Sequence, residues 1–181
     1  MTSISDVLGF WFAPGMSSRW FAGDPSFDAE VKGRLGRASE AALRGELDAW
    51  AETPEGALAL VLLLDQVPRH LHRGDARAFD GDPVARAVTR RAIEAGFDRE
   101  LDQAQRLFLY LPLEHSEALD DQEDCCRLVE ELTDNPDWAG YARRHRDIIA
   151  RFGRFPHRNA ALGRETTAEE ASFLKEPDSS F

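Results

Sequence analysis

Three times along this chain a residue suited to capping a helix is followed directly by proline: Thr53-Pro54, Asp82-Pro83 and Asn135-Pro136. At such a pair the first side chain accepts from an exposed backbone N–H, and proline takes the first helical position, where its missing N–H costs nothing. Thr167-Ala168-Glu169-Glu170 reads as a capping box, and Gly96 and Gly153 stand where a glycine ends a helix. Between these marks apolar residues recur at helical spacing. Trp138, Tyr141, His145, Ile148 and Phe152 form one stripe, Val84, Ala87, Val88 and Ile93 a second, and Val31, Leu35, Ala38, Ala42 and Leu43 a third. No run of alternating β-branched residues occurs, and no hairpin dipeptide separates two such runs. The expected class is all-α.

Two segments depart from the amphipathic pattern, Leu58 to Leu64 and Leu107 to Leu113, which are apolar on every side and so predict central helices. The longest uninterrupted apolar run, Ala57 to Leu64, is eight residues. That is far short of the ~20 needed to span a bilayer. The N-terminus has neither a basic region nor an apolar stretch of the secretory kind. With 181 residues, 43% hydrophobic and 30% charged, the chain is expected to form one domain over residues 1–175, with 176–181 as a tail. A net charge of −11 argues against binding nucleic acid or anionic lipid, since both need basic side chains to displace counterions. The two cysteines, Cys125 and Cys126, are adjacent, spaced neither to staple a fold nor to make a Cys-x-x-Cys site. They suit a reducing compartment, and a cytoplasmic location is the expectation.

Each apolar segment delivers polar groups at one end. The first runs into Asp65-Gln66-Val67-Pro68-Arg69-His70, with Asp65 and Arg69 one turn apart and able to pair. The second runs through Pro112 into Glu114-His115-Ser116-Glu117. A third polar stretch, Arg151 to Asn159, interleaves arginines with aromatic residues after a helix end. From Arg143 to Arg164 there are seven arginines and one acid, whereas from Glu114 to Asp137 there are ten acids and one arginine. Adjacent segments of opposite sign most simply neutralise each other inside a fold.

These stretches, together with Leu8-Gly9-Phe10-Trp11-Phe12, Leu162-Gly163-Arg164 and Glu169-Glu170, resemble the bacterial domain-of-unknown-function family 924 over nearly the whole chain. The resemblance implies an array of antiparallel helical hairpins of the tetratricopeptide-like kind, although the tetratricopeptide consensus and its regular period are both missing. It implies no activity. Positions matching the family are Asp65, Gln66, Arg69, Glu114, His115, Ser116, Glu117, Arg154, His157, Arg158 and Asn159.

If helix packing gathers these clusters, they make a polar pocket. Its arginines would hold a carboxylate or phosphate and its acids an amine, so the expected partner is a small anionic ligand or a peptide or protein. Alternatively the same groups serve an enzyme, with Glu114 or Asp65 as base, His115 or His157 as acid, and Arg154 or Arg158 clamping an anion. A plainer reading makes them buried ion pairs. No cofactor or metal is expected: the sequence has no His-Glu-x-x-His and no Glu-x-x-His pair, and His70 and His72 cannot share a helix face. His145, on an apolar stripe, reads as a core histidine. Ser116 lacks a nucleophile elbow, and no phosphate-binding glycine loop exists.

Overall fold

A computed structural model describes residues 2–177, 179 and 180, which among them contain helices and turns but no strand. The α-helices are α1 (Ile4–Trp11), α2 (Pro25–Leu43), α3 (Pro54–Val61), α4 (Val67–Leu71), α5 (Asp82–Glu94), α6 (Gln103–Glu114), α7 (Leu119–Leu132), α8 (Pro136–Phe152) and α9 (Ala168–Phe173). Thr53 and Asn135 cap α3 and α8 as their sequence predicts, and Thr167 and Glu170 form the capping box of α9. Gly153 ends α8 with φ 67°, a left-handed conformation that costs an L side chain strain. Asp82 differs. Gly81 occupies the cap position, and the Asp82 carboxylate turns away to an ion pair described below. Ser3 and Asp102 head two further capping boxes, and Asp24 caps α2.

The two apolar segments form the centre. Every side chain from Ala57 to Leu64 is at most 1% exposed, and Leu107 to Leu113 are buried throughout. Burying a leucine stabilises by about 1.5–3 kcal/mol relative to leaving it in water, so these segments supply much of the folding free energy. α1 packs on α3, with its Trp11 reaching Phe108 of α6, while α2, whose Phe27, Val31 and Leu35 are buried, packs mainly on α4. Phe108 of α6 meets Trp11 and Trp20 edge to face, with ring centroids 5.7 and 4.7 Å away. α7 packs between α6 and α8 around Tyr110, Leu113, Cys125, Val129 and Ala142.

Two stripes sit slightly rotated from their predicted faces. On α8, Tyr141 is 51% exposed while Ala139, Ala142 and Ile149 face inward; on α5, Val84 is 43% exposed while Ala85, Thr89 and Ala92 are buried. Small residues permit close helix approach, and the displaced large ones are tolerated singly at the surface. Buried Thr89 is satisfied because its hydroxyl donates to the Leu109 carbonyl at 2.8 Å. Of the expected tail, Asp178 and Phe181 lie outside the described residues. Ser179 is buried, and its hydroxyl donates to the Leu174 carbonyl.

α3 and α4 are joined without a break by one π-helical turn, Leu62–Gln66. Its cause lies in the sequence. Pro68 has no N–H to give the Leu64 carbonyl, and the Val67 N–H reaches five residues back, to Leu62. The Leu63 carbonyl then accepts the Ser39 hydroxyl at 2.7 Å. Against the Leu64 carbonyl packs Gly81, so closely that a Cβ there would lie 2.1 Å from the oxygen. The widened turn thereby carries Asp65 and Gln66 into the interior and fixes the start of α5 beside them.

Candidate functional site

A chain of ion pairs crosses the end of the two central segments. Asp65 is fully buried, and His115 Nδ1 lies 2.8 Å from its Oδ1, so the imidazole donates this proton to the carboxylate. Gln66 donates its amide to the other oxygen at 2.6 Å. Arg69 lies 3.2 Å from Asp65 and also donates to its backbone carbonyl. The same guanidinium grips Asp82 with two parallel hydrogen bonds of 2.9 and 3.0 Å. Beyond Asp82 stands Arg158, whose Nη1 is 3.5 Å from that carboxylate. Burial opposes ionisation of Asp65, but the charge of Arg69 and the hydrogen bonds from His115 and Gln66 outweigh it and hold the carboxyl well below its usual range. Burial keeps His115 neutral by pushing its pKa down.

Beneath His115, Glu114 is 5% exposed and its Oε1 lies 3.3 Å from His145 Nδ1. That nitrogen donates to the Tyr141 carbonyl at 2.9 Å, the ordinary bond of a helix-interior histidine, and the His115 and His145 rings are 6.3 Å apart. Burial, reinforced by the negative charge of Asp65, pushes Glu114 up to about 8, so this acid is protonated at neutral pH. Burial pushes His145 down to about 3. His157 falls to about 4, from burial and then from the neighbouring Arg158 charge. Cys125 approaches Glu114 at 3.9 Å, but burial raises its thiol far above the range of a nucleophile.

Arg158 is the least satisfied charge in the cluster. Its side chain is 8% exposed and its guanidinium lies between the faces of Phe79 and Phe155, 4.7 and 4.6 Å from the ring centres. Its Nε is buried and has no acceptor among the described residues. Burial first, and Arg69 second, lower its pKa to about 10.

The structure thus brings together Asp65, Gln66, Arg69, Glu114, His115, His157 and Arg158, from segments far apart in the chain. The remaining candidates do another job. Glu117 takes a two-pronged bond from Arg164 and the Phe155 N–H, pinning the stretch that carries Arg158. Arg154 is held by Glu170 at 2.6 and 2.9 Å, and Asn159 reaches the same carboxylate at 3.3 Å. Ser116 donates to Asp121, which also pairs with Arg86 and Arg90. Three contributors escaped sequence reasoning. Asp82 looked like a helix cap, and Phe79 and Phe155 carried no polar signal, whereas His145 is the buried, hydrogen-bonded core histidine its stripe predicts. Only the proline after Asp82 hinted that its role was structural, and it hinted at the wrong one.

Arg69, Asp82 and His115 keep 20%, 21% and 14% of their side-chain surface, so the cluster meets solvent along this edge. Two open clefts lie elsewhere, one of 450 Å³ between α7 and α8 beside Cys126, the other of 540 Å³ between α1 and α2 beside Arg34. Among the described residues no three His, Cys, Asp or Glu side chains group as metal ligands, and no helix is long and apolar enough to cross a membrane.

Residues 7–178 match the model of a family described as bacterial protein of unknown function, DUF924, and the chain belongs to that family. A solved structure, that of a protein of unknown function, ATU0120, from Agrobacterium tumefaciens, is 43% identical. It superposes with a TM-score of 0.90 over 95% of this chain and 96% of its own. No curated protein matches.

Proposed function

We propose that this DUF924 protein binds a small anionic ligand at the edge formed by Arg69, Asp82, His115 and Arg158. One observation carries the reading: among the described residues, Arg158 is a nearly buried guanidinium with an unmet Nε and a single stretched contact to Asp82. Leaving a buried charged donor short of acceptors costs stability, whereas Arg69 beside it makes three hydrogen bonds to Asp65 and Asp82. The two flanking phenyl faces hold the planar fork in place before any ligand arrives, which lowers the entropy lost on binding. Convergence of the groups on one narrow edge supports a small molecule over a long peptide. The buried, unpaired thiols of Cys125 and Cys126 support the cytoplasm as its location.

The test is thermal unfolding against a panel of inorganic phosphate, small carboxylates, amino acids and nucleotides. A ligand at a hundred times its Kd adds about 2.7 kcal/mol. The expected result is a hit among the anions that disappears in Arg158→Gln, with circular dichroism confirming that the variant folds. A flat panel, or a hit indifferent to Arg158→Gln, overturns the reading.

A second reading, acid–base catalysis on that ligand, is favoured by one specific feature. Asp65 and Glu114 are two buried carboxyls whose environments drive their pKa values in opposite directions, the pattern that separates acid from base in active sites. Asp65 orients His115 in the way a buried carboxylate orients the histidine of a catalytic couple.

A further inference from the structure

Resting on the anion-binding reading, the donor and acceptor pattern of the site narrows the ligand's class. Asp65 is ionised and accepts only, so His115 must spend its Nδ1 proton on it, and the neutral ring then presents Nε2 as a bare acceptor. Gln66, on the other oxygen of Asp65, and Arg69, beside it, are donors and leave the carboxylate no freedom to release the histidine. At the far end of the same chain of ion pairs, Arg158 offers only N–H groups. His115 and Arg158 stand at the two ends of one chain of contacts that runs through Asp65, Arg69 and Asp82. The edge they share therefore presents donors at one end and an acceptor at the other.

We infer that the site selects an oxyanion carrying its own hydroxyl group, such as hydrogen phosphate or a hydroxycarboxylate. The ligand's anionic oxygens accept from Arg158, and its O–H donates to His115 Nε2. An anion without a proton, such as sulfate, sets its lone pairs against that nitrogen. An acceptor facing an acceptor loses a hydrogen bond on both sides, which is how sites discriminate between ligands of equal size and charge. Charge arithmetic agrees. Arg69 and Arg158 balance Asp65 and Asp82, while His115 and Glu114 are neutral, so the edge attracts an anion by local geometry rather than by excess charge.

Isothermal titration of the full chain at pH 7 compares inorganic phosphate with sulfate, and glycolate with acetate. The expected result is a Kd at least tenfold lower for the hydroxyl-bearing member of one pair, with the preference lost in His115→Gln, whose amide supplies donor and acceptor alike. Should the substitution fail to fold, 15N chemical shifts of the wild-type imidazole settle the same point, because the inference requires the His115 proton on Nδ1. Equal affinity within both pairs, a preference that survives His115→Gln, or a proton on Nε2 overturns the inference and leaves anion binding standing. No binding of any of the four, together with a flat thermal panel, overturns the anion reading itself.

Discussion

Asp65 shows how one residue couples stability to the site. It sits at no exposed surface and answers three donors, His115, Gln66 and Arg69. Removing one partner of a buried pair strands the other's charge, which costs about 3–5 kcal/mol. Asp65→Ala is therefore expected to lose that much in urea unfolding, and a midpoint within error of wild type would exclude a structural ion pair here. Arg158→Gln, by contrast, removes a charge that has few partners to strand, and its loss of stability should be well below that of Asp65→Ala in the same experiment. The pairing of Asp65 with Arg69 was legible in the sequence, because four residues on a helix is a fixed distance. Asp82 was not, since its partners Arg69 and Arg158 lie 13 and 76 residues away and nothing local announces them.

At the scale of elements, the junction of α3, the π turn and α4 decides the site's shape. Proline at 68 creates the turn, and glycine at 81 allows the next helix to rest on the freed carbonyl. Gly81→Ala keeps an allowed backbone conformation, φ −84°, yet drives a methyl against the Leu64 backbone, which cannot swing aside. Overpacking of this kind costs about 1–3 kcal/mol and should also displace Asp82 from Arg69. Differential scanning calorimetry with the ligand panel checks both effects: an unchanged midpoint with unchanged binding would refute the role assigned to this glycine. The central segments were plain from their unbroken apolar runs, and the caps of α3, α8 and α9 from their side chains. The faces of α5 and α8 were read a step off, because a large apolar residue scores as core in any periodicity while an alanine does not, and close packing prefers the alanine.

For the whole molecule, opposing titrations predict a stability optimum. His145 and His157 have folded pKa values of about 3 and 4, below the ordinary 6.5. Their contribution is complete above pH 6.5 and is lost as acid protonates the unfolded chain first. Glu114 runs the other way: raised from 4.5 to about 8, its contribution is complete below pH 4.5 and is lost as pH climbs through 8. Between 4.5 and 6.5 these two histidines, joined by His70 and His115, whose pKa values burial also lowers, outweigh one glutamate and stability rises with pH; from 6.5 to 8 the glutamate acts alone and stability falls. Denaturant midpoints measured across this range should therefore peak near pH 6.5. Glu114→Gln should flatten the alkaline side, and a decline that persists in that variant would assign it to other groups.

The contact between Arg158 and Asp82 also sets a clock. A ribosome delivers the two central segments, their polar ends and Asp82 long before it delivers residue 158, and the clamps on that stretch, Glu170 against Arg154 and Arg164 against Glu117, wait for residues 164 and 170. A growing chain therefore owns a core before it owns a complete site, and no ligand can take hold at Arg158 until the residues that clamp that stretch have followed it. In the finished protein the segment that completes the site is the one a bound anion would hold in place, so ligand occupancy should be felt first as slower proteolysis between residues 153 and 167.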